Sequence, residues 1–284
     1  MIKRPSARLI LCSLLFATGS HADVVIHSPA GTTLTFSQKK TGEHYGSDAW
    51  GKILFSSRGT QADITQEERY YSEDGSSHVS PSGRYLVVNS VSGGDLVQED
   101  GSVTYTDRAY CSVVDMHNGC ITSDWSGEAC GYSWVGDQDR LASSARPDAE
   151  AFNFTSMRPT IKAVKTDFAV INTHQVMNIL RCDAPAKNNV SDYQQLAKTN
   201  KALTGLINGH LLPFLNRIHD VSTVGTRAVL FTDAADNSKT RAYLVAGDRV
   251  KVIQRSSDRQ WVNIGYVNAK GVPLIAWVKA QTLD

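Results

Sequence analysis

The sequence predicts a mainly β protein of the α+β class. An N-terminal antiparallel β-sheet domain is followed by a helical segment and a small C-terminal β-barrel. Three observations carry this expectation. Short segments with apolar residues at a period of two recur along the chain, separated by Asp-Gly, Asn-Gly and Gly-Asp turns. One longer stripe, from Tyr193 to Ile218, follows the helical period instead. Four cysteines, Cys111, Cys120, Cys130 and Cys182, follow an amino terminus of the export type, a combination suited to disulfides.

The chain begins MIKRPSARLILCSLLFATGSHADV. Lys3, Arg4 and Arg8 precede the apolar run Leu9 to Phe16, which is too short to span a bilayer. Ser20-His21-Ala22 fits a small-x-small cleavage site, so residues 1–22 are expected to be a cleaved secretory signal. Its removal would leave 262 residues with 26 Lys and Arg against 28 Asp and Glu. So even a balance offers no basic footprint for nucleic acid or for an anionic membrane surface. No later run is long enough for a membrane anchor, so export through a cleavable signal is expected.

Residues 23–155 are expected to form a mainly β, disulfide-containing domain. Thr33 to Phe36, Lys52 to Phe55, Arg84 to Val88 and Ala109 to Val114 have strand patterns. Asp74-Gly75, Asp100-Gly101 and Asn118-Gly119 are hairpin-type turns. Ser80-Pro81-Ser82-Gly83-Arg84-Tyr85-Leu86-Val87-Val88, Tyr110 to Asp115, and Trp134-x-Gly136-Asp137 with Arg140-Leu141 together resemble a single β-propeller blade. Roughly 130 residues cannot hold the four or more blades of a propeller, so a blade-like antiparallel sheet is expected. Cys111, Cys120 and Cys130 would staple this sheet, with Cys182 tying down the next segment; three connectivities are open. Asp137 and Asp139 lack the ligand offsets and closing Glu of a calcium loop, and read as a solvated turn.

Residues 156–222 are expected to form a mixed, partly helical connecting segment. Phe168 to Leu180 suggests a strand leading into a helical turn. Ser191 and Gln194 have capping-box spacing, with Ser191 as N-cap. Tyr193, Leu196, Leu203, Ile207, Leu211, Phe214 and Ile218 then mark one helix face for core packing. Asn208-Gly209 and Pro213 are expected to break that helix, because interior proline costs about 3 kcal/mol.

From Arg227 five short strands are expected. Val250 and Val252 alternate with Arg249 and Lys251; Val262, Ile264 and Tyr266 alternate with Asn263 and Gly265, the pattern of half-buried strands. Tyr243-Leu244, Gly247-Asp248, Val250-x-Val252, Trp261-Val262-x-Ile264, Tyr266, Gly271 and Trp277-Val278 together resemble a bacterial SH3-like (SH3b) domain over 226–284. Ala276 departs from the glycine usual before the last Trp. The resemblance implies a small barrel that binds rather than catalyses. Some such domains take peptidoglycan peptides and others pack on a neighbouring domain. Tyr243, Trp261, Tyr266 and Trp277 are its candidate binding aromatics, with core packing as the alternative role.

No nucleophile elbow, H-E-x-x-H, phosphate loop or dinucleotide fingerprint is present. Cysteine and histidine spacing does not suit zinc, so no metal or cofactor is expected. Cys182 with His210 or His219 could form a cysteine-nucleophile pair only if Cys182 began a helix, and its surroundings look like a helix exit. The sequence therefore suggests a non-catalytic periplasmic protein that binds peptidoglycan or another envelope component. The alternatives are a partner-protein binder, such as an immunity protein or an inhibitor of an envelope-targeting toxin or hydrolase, and a cell-wall hydrolase with an unrecognised site.

Overall fold

The computed structural model describes residues 23–41, 49–72, 79–126, 131–143 and 151–284. Residues 1–22, expected to be a signal, the expected Asp74-Gly75 turn and Cys130 lie outside the described residues. The fold is mainly β with a helical segment, as expected.

β1 (Val24–His27), β2 (Thr33–Lys39), β3 (Ala49–Ser57), β4 (Thr60–Asp63), β5 (Tyr70–Ser72), β6 (Tyr85–Val97), β7 (Val103–Asp115) and β8 (Cys120–Ser126) form one antiparallel sheet. Sheet order follows chain order, except that β4 folds back on β3 and β5 continues from β3. Period two places Leu86 and Val88 of β6 on one face, in a core with Phe36, Ile53, Phe55 and Val114. Tyr85 and Val87 face the other way, towards Val113, Trp125, Leu141 and Phe154. β6 is therefore apolar on both sides, as a central strand covered on both faces must be. At the β7–β8 turn Gly119 has φ +73°, and a Cβ there would lie 2.7 Å from the Phe55 ring. Only glycine meets both demands.

Trp134 and Leu141 pair with each other in a separate hairpin, β9 (Tyr132–Trp134) and β10 (Leu141–Ser143). This hairpin, through Trp134 and Tyr132, and the stretch with Phe152 and Phe154 after it cap the second face of the large sheet with aromatic contacts. Tyr85 meets Phe154 edge-on at 4.8 Å between ring centroids, and Trp125 meets Phe152 at 4.5 Å. Asp139 is tied into the fold, accepting hydrogen bonds from the Ser82 amide (3.0 Å) and hydroxyl (2.5 Å).

The helical segment departs from the sequence expectation in three places. Phe168 to Leu180 contains no strand: a 3₁₀ turn (Lys162–Asp167) leads to α1 (Thr173–Cys182). The capping box belongs to α1, where Asn172 accepts from the Gln175 amide and Gln175 answers the Asn172 amide. α2 (Val190–Thr199) starts from Asn189, so Ser191 and Gln194 lie inside the helix and are free to bond elsewhere. The break falls at Asn200, whose backbone is extended and whose side chain holds the Ile171 carbonyl at 3.1 Å. Gly209 and Pro213 remain inside α3 (Thr204–Asn216). Pro213 withholds one hydrogen bond, from Gly209, and Gly209 is exposed, so water can take its carbonyl. The apolar stripe behaves as expected: all seven of its residues are buried in one core.

A disulfide joins Cys120 on β8 to Cys182 at the end of α1, tying the helical segment to the sheet. Cys111 is disulfide-bonded as well. No described helix is long and apolar enough to cross a membrane.

The C-terminal part is a six-stranded antiparallel sheet, β11 (Val221–Thr223), β12 (Ala228–Phe231), β13 (Lys239–Leu244), β14 (Arg249–Arg255), β15 (Trp261–Val267) and β16 (Pro273–Lys279). Its order is β11-β14-β15-β16-β12-β13. β11 is additional to the five expected strands; three residues are too few to show a period. Leu244 from one edge strand and Val224 beside the other share a core with Val250, Val262, Ile264 and Val278, so the sheet curls around a single interior.

Candidate ligand-binding cleft

β15 and β16 position the site. Val262, Ile264 and Tyr266 point into the curled sheet, and so do Ala276 and Val278. The intervening residues, Trp261, Asn263 and Gly265 with their cross-strand partners Lys279, Trp277 and Ile275, form the outer face. That face is not left to solvent, because α2 and α3 lie over it. Gly265 leaves room for Leu215 of α3; a Cβ there would sit 2.2 Å from Leu215 Cδ2. The buried Gln194 side chain accepts the Ile275 amide at 2.9 Å, and Asn263 Nδ2 donates to Ser191 Oγ at 3.3 Å. β15 is thus buried on both faces, rather than half-buried as its alternation suggests.

The four candidate aromatics do not share one surface. Trp261 is 4% exposed, edge-on to Phe231 at 4.8 Å, with Lys279 Nζ 3.8 Å from its ring. Its faces are occupied, so it packs and has no surface for a ligand. Tyr266 packs against the interior core. Tyr243 is 49% exposed on edge strand β13, with the Arg227 guanidinium 4.0 Å from its ring. Trp277 lines a cleft, of about 640 Å³, between the sheet and α2.

Trp277 and Ile275 give this cleft an apolar wall, and Gln194, Gln195 and Lys198 of α2 face it with Lys162 and Lys165. Lys165 is paired with Asp192 at 2.5 Å. Partial burial, with Lys201 nearby, lowers the Lys198 ammonium from the ordinary lysine value. An indole beside amides and three ammonium groups, against the carboxylates of Asp192 and Asp233, suits a ligand with an apolar ring or backbone, amide groups and a small negative charge. Sequence reasoning missed the helix side of this cleft. Gln194 and Lys198 are one turn apart on α2, but nothing in that spacing says which neighbour they face.

The possible nucleophile is accounted for: the Cys182 sulfur is in the disulfide and carries no thiolate. His210 lies on α3, where burial pushes its imidazole below the ordinary value. Among the described residues, no group of three or more His, Cys, Asp or Glu side chains is placed to hold a metal. No protein-family model, curated protein or solved structure matches this chain.

Proposed function

We propose that this is an exported, periplasmic binding protein without catalytic activity, whose C-terminal SH3b-like sheet contacts peptidoglycan or another envelope component. The observation that carries the reading is Trp277, an aromatic wall facing Gln194, Gln195 and Lys198 across an open cleft. Peptidoglycan combines sugar rings, amides and carboxylates, the three chemistries those side chains meet. The Cys120–Cys182 bond supports export, since such bonds persist in oxidising compartments.

Co-sedimentation with purified sacculi tests the reading. Trp277→Ala should fold normally and bind about tenfold more weakly, a loss of about 1.4 kcal/mol. Trp261→Ala should instead destabilise the fold by about 3–5 kcal/mol, because it removes a buried ring. Wild-type binding by a folded Trp277→Ala protein would move the site away from the cleft. No binding by the wild type would replace a wall ligand with a protein partner.

A further inference from the structure

The even charge balance of the whole chain conceals an uneven distribution. Residues 23–155 carry 9 Lys and Arg against 19 Asp and Glu, whereas residues 156–284 carry 17 against 9. The first part is therefore net −10 and the second net +8. Neutrality describes neither part, and a surface of one sign attracts ligands of the other.

Some of the excess positive charge gathers around one concavity. A cleft of about 400 Å³ opens where the end of α3, the turn before α2 and the end of β14 meet. Lys187, Arg217, His219 and Arg255 line it, with Asp220 as its one carboxylate. Arg217 caps the C-terminal end of α3, and Arg255 is the last residue of β14. A bulge at Ile253 turns both Ile253 and Gln254 towards the helix-covered face, which brings the Gln254 amide to the cleft. Neighbouring Lys251 is used by the fold itself, donating to the Ile218 carbonyl at 2.8 Å. Lys187, Arg217, His219 and Arg255 are not. Among the described residues, none of their side chains makes an ion pair or a hydrogen bond. Like charges held around one concavity repel one another, a cost that a bound anion removes.

We infer that this cleft is an oxyanion site for a doubly charged phosphate group. Lys187, Arg217 and Arg255 less the Asp220 carboxylate leave two positive charges, which a dianion neutralises and a monocarboxylate does not. Arg217 and Arg255 carry the planar fork that grips phosphate oxygens two at a time, Lys187 adds a point charge and Gln254 an amide donor. The site shares no lining residue with the Trp277 cleft and does not depend on it. The group recognised is the same whether the phosphate is free or carried by a phosphomonoester headgroup, and the test separates the two sources.

The full chain is titrated with inorganic phosphate and with acetate at about pH 7.5, where phosphate is mostly dianionic. It is also floated with phosphatidylcholine vesicles with and without phosphatidic acid. Phosphate should bind at least about tenfold more tightly than acetate, and at least about tenfold more weakly to a folded R217Q/R255Q variant. Its amide signals should shift first at Lys187, Arg217 and Arg255. Lys270→Gln, exposed on the β15–β16 turn, and Trp277→Ala should bind phosphate as the wild type does. Capture by phosphatidic acid that R217Q/R255Q loses assigns the headgroup; phosphate binding without capture assigns a free phosphate. The inference is overturned by no response to either phosphate probe, by equal affinity for phosphate and acetate, or by binding that survives R217Q/R255Q, which would make phosphate an adventitious ion only.

Discussion

The helical segment meets its two neighbours in different ways. Towards the N-terminal sheet, α1 docks beside edge strand β8. Asn178 there accepts from the Ile121 amide (2.9 Å) and donates to its carbonyl (3.0 Å), as a neighbouring strand would. Arg181 donates to the Gly119 carbonyl, Asn118 to the Arg181 carbonyl, and Arg158 reaches Asp115 at 2.9 Å. The Cys120–Cys182 bond lies in the same contact. Towards the C-terminal sheet, α2 and α3 lie on a face. Leu215, Phe214, Ile253 and Ile275 join one apolar core there. An edge presents unpaired backbone groups, so covering it takes hydrogen bonds; a face presents side chains, so covering it takes apolar area.

Three perturbations sharpen that contrast, beginning with the largest. Cys120→Ala with Cys182→Ala opens a loop closed over 62 residues. In the chain-entropy account this costs about 4 kcal/mol. Hydrogen exchange should rise first in β8 and α1, with the Ile275 amide still protected; equal loss at both junctions would erase the distinction. Next, Gly265→Val places atoms where Leu215 already packs, and Leu215 is 1% exposed with little room to move. Overpacking should cost about 1–3 kcal/mol in urea denaturation and loosen the helix–barrel junction alone.

The third effect is absent at neutral pH and grows under acid. Burial by itself would push the Asp115 carboxyl up, but Arg84, Arg158 and the His117 amide hold it below the usual carboxylate range. Its folded value is lower than its unfolded value. The stabilisation is therefore complete above about pH 4 and is lost as pH falls through the folded value. Exchange protection at the sheet–α1 junction should fall over that window before protection of the helix–barrel junction. Asp115→Asn, weaker at neutral pH, should show a shallower acid dependence.

Much of the fold was legible. Strand-period patterns located β2, β3, β6, β7, β14 and β15, because residues that meet a core recur at the backbone's period, even where, as in β6 and β15, the other face is covered too. The stripe from Tyr193 to Ile218 marked a buried helix face for the same reason. The helix ends were less legible. Ser191 and Gln194 match a capping box, but Asn189 starts α2 and Gln194 is used across the interface. Local spacing cannot tell a cap from a long-range hydrogen bond between the same residue types. Of the candidate site, only Trp277 was visible, and it stood equal with Tyr243, Trp261 and Tyr266.

By itself, the sequence determined which side chains alternate and where most turns fall, and it offered Cys182 as one of four cysteines suited to disulfides. Only the tertiary structure decided that Asn263 and Gly265 are buried beneath α2 and α3, and that Trp261 packs while Trp277 faces a cleft. The reason is physical. Periodicity is set by the backbone and records the direction in which a side chain points, whereas what lies opposite depends on residues far away in the chain.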